Sequence, residues 1–139
     1  MKTIISMALV CFGLCLGGCG GLTKGKAAAD AAIVRFHEQY NAGRLDAIWE
    51  GAHPKFRSAS KKEKYEQLLH AVQNKLGKVT STANVNWNVG AFNATTTVKM
   101  AQKTVFEKGE GTESFTFEMD GEKALLVGYN IQSMDLITK

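Results

Sequence analysis

The sequence predicts an α+β domain in which three amino-terminal helices pack on a curved antiparallel β-meander of about four strands. Up to Gly77, apolar residues recur every three or four positions, which is typical of amphipathic helices. After Gly77 they alternate, which is typical of strands with one buried face. Because the predicted helices precede the predicted strands, the apolar face of the sheet must close over the helices.

The first helix is predicted from about Ala27 to Asn41. One apolar stripe on this helix consists of Ala29, Ala32, Ile33, Phe36 and Tyr40. A short second helix carries Leu45, Ile48 and Trp49. It is expected to stop before Pro54, because the residue before a proline is pushed out of the helical region.

The third helix is expected to begin at Ser60, which forms a capping box with Glu63. Its apolar residues are Tyr65, Leu68, Leu69, Val72 and Leu76. Gly77 suits the left-handed position just past the helix end. If the box forms, Ser60→Ala lowers the free energy of unfolding by about 1 kcal/mol.

The strand phases predict which residues face the helices. The expected inward set is Val85, Trp87, Val89, Val98, Met100, Phe115, Phe117, Met119, Leu125, Val127, Tyr129 and Ile131. Glu113 is the one carboxylate in these phases. Asp120–Gly121 predicts a tight hairpin turn. The last strand begins with apolar residues on both faces, which predicts a position in the interior of the sheet.

The amino terminus has the charge and length profile of a secretory signal peptide. A short basic start is followed by an uncharged segment, residues 4–16, that is shorter than the roughly 20 residues that a membrane-spanning helix needs. Leu16–Gly17–Gly18–Cys19 resembles a bacterial lipobox, in which small residues precede the cysteine that receives diacylglycerol. The alternative is that Cys19 is one more leader cysteine, but Cys11 and Cys15 lack the preceding small residues.

The lipobox implies a domain organisation and a location. Residues 1–18 are the leader, 19–26 a lipidated tether and 27–139 the folded domain. Gly20 after the cysteine resembles the outer-membrane sorting class, so the protein is expected on the outer membrane facing the periplasm if the organism is Gram-negative. Lys24 and Lys26 in the tether either face anionic headgroups or are simply solvated.

Composition argues against several kinds of partner. A formal net charge of +4 is spread over the chain and does not predict nucleic-acid binding. His37, His53 and His70 lack the short spacing of zinc motifs, so we predict no metal site. The sequence has no phosphate-binding loop and no nucleophile elbow, and we expect no cofactor.

The mature chain resembles the nuclear transport factor 2-like, or cone-fold, superfamily. The likeness is carried by residues 40–49, His53–Pro54–Lys55–Phe56, Leu76–Gly77–Lys78–Val79 and residues 126–131. These resemble small bacterial envelope domains of that superfamily whose function is unassigned. The resemblance implies a cone fold and, because homodimers are common in the superfamily, a homodimer as one expected state.

Four aromatic residues are candidates for lining a cavity: Tyr40, Trp49, Trp87 and Tyr129. Each joins a large apolar body to a polar tip that can orient a ligand. The alternative is that they fill the core of a small domain. We predict a non-enzymatic module that binds an envelope protein or a small apolar ligand, or, as a more particular form, an immunity or inhibitor lipoprotein.

The resemblance also implies an enzymatic alternative. Ketosteroid-isomerase-like proton transfer uses a carboxylate and a neutral donor inside an apolar cavity. Glu113 or Asp46 is the candidate base, and Tyr40 or Tyr129 is the candidate donor.

Overall fold

The computed structural model describes residues 20–138. In this range the elements are α1 (Gly20–Asn41), α2 (Leu45–Gly51), α3 (Pro54–Ala59), α4 (Lys62–Leu76), β1 (Val79–Phe92), β2 (Thr95–Phe106), β3 (Gly109–Asp120), β4 (Lys123–Gln132) and α5 (Asp135–Thr138). The strands form one antiparallel sheet in the order β1-β2-β3-β4. The α+β class, with helices before a four-stranded antiparallel sheet, is therefore confirmed.

The core lies between α1 and the inner face of the sheet. Directly opposed residues of an antiparallel pair share a face. The pairs Val98–Phe117 and Met100–Phe115 are buried there. Helix α1 contacts all four strands, and Phe36 meets Phe115 edge to face at a centroid distance of 5.1 Å. The predicted α1 stripe thus forms one wall of the core.

Among residues 20–138, four helices rather than the predicted three precede the sheet. The additional helix, α3, begins at Pro54, where the prediction placed an irregular segment. Proline is compatible with the first helical position because its missing N–H would have no partner within the helix. His53 is the N-cap, and its Nδ1 accepts from the backbone N–H of Lys55 at 3.1 Å.

The predicted capping box at Ser60 is wrong. Ser60 ends α3, and α4 begins at Lys62 after Lys61. The Ser60 hydroxyl donates to the carbonyl of Lys61 at 3.5 Å and caps no backbone amide of α4. We now expect Ser60→Ala to change the free energy of unfolding by less than about 0.5 kcal/mol, measured by urea denaturation. A loss near 1 kcal/mol would restore the capping interpretation.

Helix α1 begins earlier than the sequence predicts. The segment Gly20–Lys26, expected as a tether, forms its first turns. Gly25 is buried against the sheet, and a Cβ there would lie 3.3 Å from Val98 Cγ2. Helical geometry shortens the reach of this segment to about 10 Å at roughly 1.5 Å per residue. The predicted leader and Cys19 lie outside the described residues.

The inward phase predicted for β4 is half correct. Ala124 and Leu126 are buried where Leu125 and Val127 were expected. The ladder pairs Phe117 with Leu126 and Thr116 with Gly128, so Val127 is the extra residue of a β-bulge. A bulge reverses the alternation, and the positions after it, Tyr129 and Ile131, pack against the core as predicted.

The position predicted for β4 inside the sheet is also wrong. It is an edge strand. The backbone N–H of His53 donates to the carbonyl of Leu126 at 2.9 Å, so the connection between α2 and α3 covers this edge. The strand is apolar on both faces because helical segments pack beside it, and not because another strand does.

Candidate functional site

A buried polar cluster joins three elements of the domain. Glu113 on β3 is 1% exposed. Its Oε1 lies 2.8 Å from His37 Nε2 on α1, and its Oε2 accepts from the Tyr129 hydroxyl of β4 at 2.7 Å. Both carboxyl oxygens therefore have a partner inside the protein.

Sequence phase explains how the cluster assembles. Glu113 occupies an inward position of β3, opposite Gln102 and Ile131. His37 follows Phe36 and lies at the edge of the α1 stripe, where it is 7% exposed. Tyr129 lies beyond the β4 bulge, which returns its side chain to the inner face.

The surroundings of the cluster are aromatic. Phe115 lies 6.0 Å from the His37 ring and 5.2 Å from the Tyr129 ring, and Phe36 lies 4.9 Å from Tyr129. Hydrogen bonds are electrostatically stronger in such apolar surroundings, and an unpaired polar group is correspondingly costly. The cluster therefore holds α1, β3 and β4 in one relative position.

Tyr129 is a proton donor in this cluster and not a base. Burial, followed by the nearby charge of Glu113 and their hydrogen bond, raises the pKa of Tyr129 well above its ordinary value of 10.0. A phenol in this setting stays neutral at physiological pH. Its hydroxyl therefore always has a hydrogen to donate to Glu113.

Tyr65, a buried tyrosine outside the cluster, provides a contrast. Tyr65 is 5% exposed, and its hydroxyl has no hydrogen-bond partner among the described residues. Removing an unsatisfied buried hydroxyl is nearly neutral or stabilising, whereas removing a satisfied one leaves its partner short of a bond. We expect Tyr65→Phe to leave the free energy of unfolding unchanged or to raise it by up to about 1 kcal/mol.

The matched control is Tyr129→Phe, which we expect to lower the free energy of unfolding by about 1–3 kcal/mol. Urea denaturation of both variants measures the difference directly. If Tyr65→Phe is the more damaging change, its hydroxyl has a partner in solution and the contrast fails.

The four aromatic residues predicted to line a cavity do not share one. Tyr40 is buried, and its hydroxyl donates to the carbonyl of Gly77 at 2.9 Å. Trp49 is buried against Phe56 and Tyr65, at centroid distances of 5.6 and 5.9 Å.

The other two predicted lining residues also lie apart. Trp87 is 42% exposed on β1, with Lys26 Nζ 5.9 Å from its ring centre. Tyr129 belongs to the Glu113 cluster. Tyr40 and Trp49 fill the core, as the alternative interpretation of these residues expected.

The grooves near these residues are small or shallow. One of about 120 Å³ lies between α1, α2 and β4 and is lined by residues that include Phe36, Ile48 and Leu126. Ligand pockets commonly enclose roughly 300–1,000 Å³. Another, of about 260 Å³, opens at Trp87 on the sheet. Neither groove includes Glu113 in its walls.

Other predicted candidates lie apart from the cluster. Asp46 is exposed in the first turn of α2. His70 is exposed on α4, and His53 Nε2 lies 3.6 Å from Glu118. Within residues 20–138, no three His, Cys, Asp or Glu side chains are arranged to hold a metal ion. Over the same range, no helix is long and apolar enough to cross a bilayer.

His37 is the cluster member that the sequence prediction missed. His37 only flanks the apolar stripe of α1, so hydrophobic spacing does not place it in the core. The available signal was Glu113: an inward carboxylate in an apolar set must find a hydrogen-bonding partner. The polar residues that flank the α1 stripe were the places to look.

Comparison with known proteins gives a weak structural likeness. No protein-family model matches the sequence, and no curated protein matches it. Among solved structures, the chain is similar to the structure of Bdellovibrio bacteriovorus Bd1075, with 13% identity over 75% of this chain and a TM-score of 0.42. The chain spans 40% of the length of that protein.

Proposed function

We propose that this protein is a lipid-anchored envelope lipoprotein whose domain is a non-enzymatic binding or interaction module. The observation that carries the proposal is the state of Glu113. It is the inward carboxylate expected for catalysis, but both of its oxygens are engaged and it is 1% exposed. A group held in this way stabilises the fold and is poorly placed to meet a substrate.

The anchor half of the proposal rests on the lipobox-like Leu16–Gly17–Gly18–Cys19. Because α1 is helical from Gly20 onward, an acylated Cys19 would hold the domain directly at the bilayer. Two or more acyl chains hold a protein stably on a membrane. In a Gram-negative cell we place it on the outer membrane, facing the periplasm.

A cone fold is the finer architecture that we propose. The four-stranded antiparallel sheet of the described residues, with α1 in contact with every strand, supports it. The bulges in β1 and β4, which bend strands, also support it.

Mass spectrometry of protein extracted from membranes tests the anchor. We expect a mature chain that begins at Cys19 and carries diacylglycerol, and we expect Cys19→Ser to abolish membrane association. Cys15→Ser is the matched control, because Cys15 lies in the leader and its loss should change nothing in the mature protein. An unacylated chain, or one that begins elsewhere, contradicts the proposal.

Crosslinking in intact envelopes tests the binding module. We expect the acylated protein to form specific crosslinks to an envelope protein or to retain a small apolar ligand, and we expect the Cys19→Ser protein to lose the envelope crosslinks. If wild-type protein gives neither a specific crosslink nor a retained ligand, the module is not supported.

The isomerase alternative keeps one observation in its favour, which is the 2.7 Å contact between the Tyr129 hydroxyl and Glu113. It pairs a carboxylate with a neutral donor. The test is isomerisation of β,γ-unsaturated ketones by wild-type protein and by Glu113→Gln. Activity that disappears in Glu113→Gln, while the variant stays folded, would replace the binding module with an enzyme.

A further inference from the structure

Helix α1 and strand β1 run antiparallel along each other. At one end, the Asn41 side-chain amide donates to the carbonyl of Val79 at 3.0 Å. Towards the other end, Gly25 lies against Val89, and Lys26 lies over Trp87. The start of α1 and the turn between β1 and β2 therefore lie at the same end of the domain, which we name the anchor end because Cys19 directly precedes Gly20 in the sequence.

The anchor end exposes large apolar side chains. Phe92 is 79% exposed and Leu22 is 51% exposed. Trp87 is 42% exposed and precedes Phe92 by five residues on the edge strand β1, so the two rings lie on opposite faces of the sheet and a surface that includes both follows the β1 edge. Phe92 directly precedes a tight turn in which Asn93 and Ala94 both have positive φ, 48° and 61°. A turn of this kind fixes the direction of the hairpin and holds Phe92 out at its tip.

The charges at this end favour an anionic surface on the β1 side. Strand β1 has no charged side chain. Lys24 is exposed, and Lys26 is paired with Asp30 at 2.6 Å and lies over Trp87. The acidic turn Asp120–Gly121–Glu122 joins β3 to β4, so it lies roughly 10 Å or more from β1 at about 4.8 Å per strand.

We propose that Leu22, Trp87 and Phe92 form a membrane-contacting surface that lies in the headgroup region of the bilayer to which the protein is anchored, with Lys24 facing anionic headgroups. This inference rests on the proposed lipid anchor. Six helical steps separate Gly20 from Lys26, so the anchor is within about 10 Å of the level of Trp87 along the helix axis. Tryptophan and phenylalanine suit this depth because they place an apolar ring beside a polar layer.

An equally exposed residue lies at the opposite end and serves as the control. Ile137 on α5 is 78% exposed, and α5 lies beside the start of β3. The length of β2 separates the two ends by roughly 35 Å at about 3.3 Å per residue. If nearness to the anchor decides which exposed apolar residues contact the membrane, Phe92 contacts lipid and Ile137 stays in water.

The experiment uses the full chain with Phe92→Cys or Ile137→Cys, purified from membranes and confirmed by mass to be acylated. Each new thiol is labelled with an environment-sensitive fluorophore, since Cys19 is blocked by the lipid. The protein is reconstituted in phosphatidylcholine vesicles that contain phosphatidylglycerol, with or without brominated acyl chains. We expect a blue shift and bromine quenching for the label at position 92, and neither for the label at position 137.

The intrinsic fluorescence of Trp87 provides a second measurement. In Trp49→Phe, Trp87 is the remaining tryptophan, and we expect brominated lipid to quench it. In Trp87→Phe the remaining Trp49 is buried in the protein, and we expect it to stay unquenched.

The outcomes separate this surface from the anchor. Acylated protein with both labels in an aqueous environment overturns the surface and leaves the anchor intact. A different outcome is that the label at position 92 shows a blue shift without bromine quenching, and that the shift grows as protein density in the vesicles rises. That result indicates contact with a second copy of the chain and also overturns the membrane-contacting surface. A purified chain whose mass shows no acyl group overturns the proposed anchor. The membrane-contacting surface depends on that anchor and is then overturned as well.

Discussion

Replacing His37 with leucine should lower the free energy of unfolding by about 1–3 kcal/mol, because it leaves Oε1 of the buried Glu113 without its hydrogen-bond partner. Glu113 would keep Tyr129 as its remaining hydrogen-bond donor. Leucine fits the apolar surroundings that Phe36 and Phe115 provide. The decrease in unfolding free energy therefore reports mainly the lost polar contact and only to a small extent the creation of a cavity. Urea denaturation near neutral pH gives the value.

Two controls define what this loss means. His70→Leu makes the same chemical change at an exposed position on α4, and we expect it to alter the free energy of unfolding by less than about 0.5 kcal/mol. The combined variant His37→Leu, Glu113→Leu, Tyr129→Phe removes the whole cluster. We expect it to recover most of the loss, because replacing all partners of a buried hydrogen-bonded cluster by apolar groups of similar shape is often nearly neutral or stabilising.

The same variants separate a structural cluster from a catalytic one. If Glu113 only stabilises the fold, the combined variant keeps the crosslinks and ligand retention of the wild-type protein once it is stable. If the cluster is catalytic, the variant is stable but loses ketone isomerisation. A loss below about 1 kcal/mol in His37→Leu would show that Glu113 does not depend on His37 as a hydrogen-bond partner.

Hydrophobic periodicity was enough to predict the class of this fold and the carboxylate at its centre. The α1 stripe and the inward position of Glu113 follow from local spacing alone. The partner of Glu113 does not, because His37 is 76 residues away and their contact depends on how α1 crosses the sheet. Long-range contacts of this kind leave no local pattern.

The errors in strand phase have one physical cause. A β-bulge adds a residue to one strand and reverses which side chains face inward. In β4 the extra residue is Val127, and in β1 a register shift lies between Asn84 and Asn86, so that Val85 is exposed. Alternation of apolar residues does not reveal a bulge within a continuous apolar run, and Leu125, Leu126 and Val127 form such a run.

Trp87 was in the predicted phase, but it is not buried. It lies opposite Met100, which is in the core, so both are on the inner face of the sheet. Burial on an edge strand depends on what covers that strand. Along β1, most side chains remain exposed although α1 packs beside Val89.

Substitution of the two tryptophans by alanine should therefore give very different results. Trp49→Ala removes a ring that packs between Phe56 and Tyr65, and we expect it to lower the free energy of unfolding by about 3–5 kcal/mol. Trp87→Ala removes a half-exposed ring and its contact with Lys26, and we expect a loss of about 0.5–1 kcal/mol. Thermal or urea unfolding of the two purified variants measures both.

The size of the Trp87 effect also reports on what covers β1. A loss for Trp87→Ala that approaches the value for Trp49→Ala in detergent-free solution would mean that another protein surface buries the ring there, because an exposed side chain cannot contribute so much by itself. The alternative result is a small loss of unfolding free energy for Trp87→Ala in solution, together with quenching of Trp87 by brominated lipid in vesicles. That result requires that the ring be exposed in the isolated domain and covered only at the bilayer. The two measurements thus decide whether this strand faces protein or lipid.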